Sequence, residues 1–189
     1  MASVLKTRLF TAADLDALPT DLPSGIADYE LDNGRLIVMS PPGRQHGSVQ
    51  LAIGTEIRIQ GEAAGHGHAF TDVGVVLSRN PDTVFSPDVA FISKSKLPER
   101  DSSEGYLETI PDLVVEVRSK NDSLAELTAK AKKYLSAGVA AVWIADPKAR
   151  TITVCRPRSK PRVYRSSETL ESNDPIPGFR MKVASVFGS

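Results

Sequence analysis

The sequence predicts an α+β (α/β) domain in which helices flank a mixed central β-sheet. Three observations lead there. The segment at 112–119, DLVVEVRS, is apolar enough to read as a buried central strand. The next segment, 123–138, has the apolar spacing and the end signals of a helix. A second apolar run, AVWIAD at 141–146, follows at once. Strand, helix and strand in succession, with further helices and strands on either side, suit a mixed sheet with helical cover.

Each element has its own signal. TAADLDAL at 11–18 reads as a short helix with Thr11 as its N-cap. Residues 27–40 read as a hairpin, because Asn33-Gly34 is a strong two-residue turn signal between two strand-like runs. After the PPG break, Val49, Ile53, Ile57 and Ala64 recur at helical spacing and predict a long amphipathic helix over 44–63, despite Gly47 and Gly54. Strands are predicted over 68–78 and 84–93, the second interrupted at Pro87, with RNPDT as the turn between them. A polar loop is expected over 94–110. In the helix at 123–138, Ser123 and Glu126 form a capping box and Gly138 is a natural stop. PKAR turns the chain from 141–146 into a strand at 151–157, and later short strands complete the fold. The expectation is one domain over 1–189, with a short helix and hairpin at about 1–42 leading into the core.

With 189 residues the chain can bury a real core. Its 41% hydrophobic and 24% charged content is ordinary for a globular protein. No apolar run is long enough to cross a membrane, and the N-terminus lacks the apolar core of a signal peptide. Cys155 is the one cysteine, which excludes an internal disulfide and reads as a small strand residue. The expected compartment is the cytoplasm. Net charge is zero, yet residues 1–93 sum to −5 and residues 94–189 to +5. Residues 148–165 carry seven basic side chains and no acid, a candidate phosphate-facing surface for which a solvated basic hairpin is, residue by residue, the favoured reading.

Chemistry enters with a carboxylate in the wrong place. Glu116 sits inside the most apolar strand, where an unpaired charge is expensive. Side chains of a strand alternate faces, so Glu116 shares a face with Asp112, Val114 and Arg118, opposite Leu113, Val115 and Val117. In the preceding strand Asp88 shares a face with Ala90 and Ile92. If the two strands are neighbours, Asp88 and Glu116 converge, and a hard divalent ion such as Mg²⁺ resolves their repulsion. On the helix after the strand, the apolar stripe is Leu124, Leu127, Ala131, Tyr134 and Leu135. Lys130 lies nearest its edge, while Lys132 and Lys133 point further toward solvent, so Lys130 is the cation able to reach the carboxylates. A purely structural pairing of Glu116 with Arg118 or Lys130 is the competing reading. Asp112 reads as a strand-start residue. His66 and His68 flank a glycine turn and read as loop residues. His46, at the start of the long helix, reads either as a surface histidine or as a group that reaches the site.

The ordered segments YELDNGRLIVMSPPGRQH, SPDVAFIS, PDLVVEVRSKNDSLAELTAKAKKYLSAGVAAVWIADPKARTITVCRP and IPGF resemble the Uma-type family of putative restriction endonucleases, within the PD-(D/E)XK nuclease superfamily. The resemblance runs over about 27–180. It implies a restriction-endonuclease-like core, with Asp88 and Glu116 as metal ligands joined by the backbone carbonyl of Val117. The superfamily's usual lysine position holds Arg118 here, and the resemblance implies that Lys130, four residues before Tyr134, has taken that role. His46 and Glu30 match positions of the family pattern as auxiliary candidates, and Arg118 remains a reserve candidate. Gly34-Arg35-Leu36 departs from the family's usual GEL. The implied activity is Mg²⁺-dependent DNA hydrolysis by a metal-activated water, with Mn²⁺ as a possible substitute and a homodimer as the working form. The alternatives are a catalytically silent nucleic-acid-binding or interaction protein of the same fold and a hydrolase of smaller phosphate esters.

Overall fold

A computed structural model describes residues 8–22, 25–98 and 105–188. Residues 1–7 of the predicted domain and 99–104 of the predicted polar loop lie outside them.

The buried strand is the centre of the molecule. β9 (Leu113–Val117) is covered on both faces. It pairs in parallel with β10 (Ala141–Asp146) and antiparallel with β8 (Val89–Ser93). Around this trio a six-stranded mixed sheet extends in the order β12 (Arg162–Arg165), β11 (Thr151–Cys155), β10, β9, β8, β5 (Gly67–Thr71). The parallel pair is connected by α3 (Leu124–Ala137), as parallel strands require a crossover. Its capping box forms as expected, with the Ser123 side chain accepting from the Glu126 N–H, and Gly138 ends it in the left-handed conformation at φ 108°.

Two helices sandwich the sheet. The side chains of Val89, Phe91, Leu113, Val115 and Val117 point to one face, where they meet Val49, Ile53 and Ile57 of α2 (Arg44–Ile57). β13 (Thr169–Ser172) pairs with β14 (Phe179–Lys182), and Leu170, Phe179 and Met181 close this layer. The opposite face packs Val114, Val142 and Ile144 against Leu127, Ala131 and Tyr134 of α3. α2 continues through a π-helical segment, Arg58–Glu62, so the predicted helix over 44–63 changes its hydrogen-bond pattern in its last turn.

The main departure from the sequence reading lies in two predicted strands. The run at 68–78 divides into β5 and β6 (Val75–Ser78), and the run at 84–93 divides into β7 (Thr83–Phe85) and β8. Each pair splits between sheets. β6 and β7 join β3 (Asp28–Asp32) and β4 (Arg35–Met39) in a second sheet of order β4-β3-β7-β6. Pro87 has no N–H for the ladder, and the Ser86 N–H turns instead to the Glu30 carboxylate. Thus the hairpin at 28–39 is half of a second layer that takes strands from the middle of the chain. Its turn is the expected one, with Asn33 at φ 51° and Gly34 at φ 73°. α1 (Ala12–Asp16), capped by Thr11, covers this sheet through Ala12 and Leu15 against Leu31, Val76 and Val84. A two-stranded piece, β1 (Asp21–Leu22) with β2 (Gly25–Ile26), links α1 to β3.

Packing is tight where β5 meets β8. A Cβ on Gly67 would lie 2.1 Å from the Ile92 carbonyl oxygen and 2.7 Å from the Phe91 ring. On Gly47 of α2 it would meet nothing within 4 Å. Gly67→Ala is therefore expected to lower unfolding free energy by about 1–3 kcal/mol, and Gly47→Ala to raise it by about 0.5–1 kcal/mol. Urea unfolding of the two variants beside the parent chain reads both signs. Ser123→Ala is expected to cost about 1 kcal/mol in the same measurement, through loss of the α3 cap.

Candidate active site

The register of β8 and β9 brings the two predicted carboxylates together. Val89 stands opposite Val115, so the next row places Asp88 opposite Glu116. Asp88 lies just before β8, where the chain has left the second sheet. Its Oδ2 accepts the Val117 N–H at 2.6 Å, and its Oδ1 lies 3.1 Å from His46 Nε2. The first turn of α2 supplies that histidine, and Gln50 one turn later donates to the Asp88 carbonyl at 3.0 Å and to the Asp72 carboxylate at 2.8 and 2.9 Å. His46 Nδ1 is buried without a partner among the described residues.

Glu116 is reached from the other side of the sheet. Lys130 Nζ lies 2.9 Å from its Oε1 and 3.1 Å from its Oε2, and the Tyr134 hydroxyl donates to Oε1 at 2.7 Å. Lys130 and Tyr134 are four residues apart on α3 and so share its sheet-facing side. Lys130 Nζ also donates to Glu30 Oε1 at 2.8 Å, and Glu30 comes from β3 of the second sheet. The ring of Phe85 lies 5.2 Å from the ammonium and meets the Tyr134 ring edge-on at a centroid distance of 5.5 Å. Three segments far apart in sequence thus meet at one lysine.

The electrostatics follow from this crowding. Burial pushes the Glu116 carboxyl up to about 7; the Lys130 ammonium opposes that, while the charges of Asp88 and Glu30 add to it. Burial alone would pull Lys130 down, but the Glu116 and Glu30 carboxylates outweigh it, and its pKa rises above the ordinary lysine value. Tyr134 is raised well above its usual value by burial and by the neighbouring Glu116 charge. For His46, burial lowers the pKa, but the bond and charge of Asp88 reverse that and leave it raised.

Every side chain that the sequence singled out can now be placed. Glu116, Lys130 and Glu30 meet directly, while Asp88, near enough for its charge to act on Glu116, is held by His46 and the Val117 N–H. Arg118 is held elsewhere: its Nη1 bonds Asp146 Oδ2 at 2.8 Å and its Nε donates to the Asp122 carbonyl at 3.0 Å. Lys133 pairs with Asp32 of β3. Asp112 accepts the Ser93 N–H at 2.8 Å and pairs with Lys96 at 2.6 Å at the start of β9. His68 lies in β5, and His66 leads into that strand. Sequence reasoning placed Tyr134 in the apolar stripe of α3 and four residues after Lys130, gave it no role of its own, and passed over Gln50. The signal for Tyr134 was its i+4 spacing from Lys130. Among the described residues no three His, Cys, Asp or Glu side chains gather into a metal-holding cluster.

The raised Glu116 carries a stability consequence. Its folded-state value of about 7 exceeds the ordinary 4.5, so the folded chain binds more protons between those values. The associated stability is present below about pH 4.5 and is lost as pH rises through 7. Thermal unfolding at pH 5, 6.5 and 8 is expected to show a decline in the parent chain that Glu116→Gln flattens. Parallel curves for the two proteins would mean that Glu116 titrates normally.

Comparison with known proteins bears on the whole arrangement. No curated protein matches the chain. A solved structure described as a "putative nuclease belonging to DUF820 from Anabaena variabilis ATCC 29413" superposes with a TM-score of 0.77 at 21% identity, over 94% of this chain and 97% of that one. At that identity it shows a shared fold, with the same helix-flanked mixed sheet. The family Uma2, described as "Putative restriction endonuclease", matches residues 13–184. A match across nearly the full length shows that this chain belongs to the Uma2 family.

Proposed function

We propose that the chain is a Mg²⁺-dependent DNA endonuclease whose working site is Asp88, Glu116 and Lys130. The observation that carries this reading is that Asp88, at the entry to β8, stands in the row next to Glu116 of β9, with a buried lysine bonded to Glu116. The donor set suits a hard divalent ion. Asp88, Glu116 and the backbone carbonyl of Val117 would offer it oxygen, and Mg²⁺ usually completes its shell with water and substrate phosphate rather than with a full protein cage. Burial, with the Asp88 and Glu30 charges beside it, raises the Glu116 pKa even though Lys130 opposes it, and a cation bound there would lower it. Bound there, the ion would polarise a phosphate oxygen and lower the pKa of its water. Mn²⁺ is the expected substitute.

The protein's own groups take distinct parts. Lys130 is held as a cation by two carboxylates, so it serves by charge rather than as a base. Its ammonium would orient the attacking water and stabilise negative charge as it develops on the phosphate. Glu30 anchors that ammonium, and His46 and the Val117 N–H hold the Asp88 carboxylate in place. The exposed side chains of Arg158, Lys160, Arg162 and Arg165 offer a surface for the phosphate backbone of DNA. Arg150 and Arg156 are instead tied to the C-terminal segment and to Ser172 and Asp174. A homodimer acting in the cytoplasm completes this reading.

One observation favours a second reading. Both Glu116 oxygens already have partners in Lys130 and Tyr134, which suits a structural ion pair in a silent DNA-binding protein. Plasmid cleavage with Mg²⁺ or Mn²⁺ separates the two. The parent chain is expected to cleave, Asp88→Ala to fall to background, and Lys130→Arg to retain the fold with cleavage reduced by about 10²–10³-fold. Equal cleavage by the parent and Asp88→Ala would overturn the assignment. Salt-dependent DNA retention by both, without cleavage, would establish the silent binder.

A further inference from the structure

We infer that the outer edge of β4 is the face through which two copies of this chain pair, strand to strand and antiparallel. The inference deepens the homodimer of the proposed function and rests on that part of it. β4 ends the four-stranded sheet, and among the described residues nothing pairs with its outer edge. β12, at one end of the larger sheet, carries Arg162 and Arg165, the kind of charge that discourages strand addition. β4 reads RLIVM, with its one charge at the first residue, and Val38 is 59% exposed and Ile37 37% exposed. An apolar edge of this kind is a template for another strand.

The register favours a second copy as the occupant. In a hairpin with a two-residue turn, the closing pair Asp32–Arg35 exchanges its hydrogen bonds inward. Alternation then turns the N–H and C=O of Leu36 and Val38 outward. A two-fold axis at Ile37 sets Leu36 of one copy opposite Val38 of the other, so that both pairs exchange bonds. The rows this creates are complementary. On the face toward α1, Leu31 and Leu36 of one copy continue into Val38 and the Tyr29 ring of the other. On the opposite face Arg35 comes to lie beside Met39 of the second copy and one strand from its Asp28. Arg35 then stands between its own Asp32 and that Asp28, while the two Arg35 side chains occupy opposite ends of the pair. The same pairing places Glu30 of both copies on one face, three strand spacings or about 14 Å apart.

The test reads mass and covalent linkage, so it does not depend on cleavage. Sedimentation at micromolar concentration is expected to give twice the mass of the chain, and Val38→Lys is expected to give a single chain with unchanged circular dichroism. At the two-fold, facing Ile37 residues of a non-hydrogen-bonded pair have Cα atoms about 4.5 Å apart, within the disulfide window of about 4.4–6.8 Å. Ile37→Cys is expected to form an intermolecular disulfide on mild oxidation, whereas Arg35→Cys, opposite Met39, is expected not to. A parent chain that is monomeric at every concentration would overturn the homodimer itself. A dimer that survives Val38→Lys, or one in which Ile37→Cys fails to link, would overturn this face and leave the homodimer standing.

Discussion

One buried ammonium joins the parts of this molecule. Lys130 reaches from α3 to Glu116 in the central strand and to Glu30 in the second sheet. Both carboxylates lie out of water, where an unpaired charge is expensive. Removing one partner of a buried pair characteristically costs about 3–5 kcal/mol, because it strands the other charge. The cluster therefore docks the four-stranded sheet onto the six-stranded core as well as shaping the site. Phe85 and Tyr134 wall the ammonium and limit its hydration, which strengthens both ion pairs.

That constraint explains the odd path of the middle of the chain. β7 belongs to the second sheet and β8 to the first, and the three residues between them hold the chain at the junction. Ser86 gives its N–H to Glu30, Pro87 ends the ladder, and Asp88 turns its carboxylate onto the Val117 N–H. A chain that crossed between sheets elsewhere would bring Asp88 to no carboxylate partner. The site lies where the two layers meet because that is where the crossing is.

The cost of the arrangement is borne by Glu116. Its ionised form is disfavoured by burial and by two nearby carboxylates, and Lys130 and the Tyr134 hydroxyl relieve it. Strongly shifted ionisable groups in such surroundings gather at functional sites, although structural networks produce them too. The Asp88 side differs: its oxygens face an imidazole and a backbone N–H at the end of the strand rather than in its middle. One carboxylate is thus held in the interior and the other at its margin.

Much of this was legible in the residues. The alternation of β9 placed Glu116 on the face of α3, and the helical stripe singled out Lys130 over Lys132 and Lys133, because both patterns are local and periodic. The capping box, the Asn33-Gly34 turn and Gly138 likewise declare themselves within a few residues. What only the tertiary structure decided is long-range. Nothing near Glu30 reveals that it meets a lysine 100 positions away. Nothing local shows that Arg118, the nearest cation to Glu116 on its strand face, is captured by Asp146. The runs at 68–78 and 84–93 look continuous because apolarity marks a strand but not the sheet it joins. Sheet membership is settled by which backbone partners remain open after the rest of the chain has folded, and that information is spread over the whole sequence rather than written in any one segment.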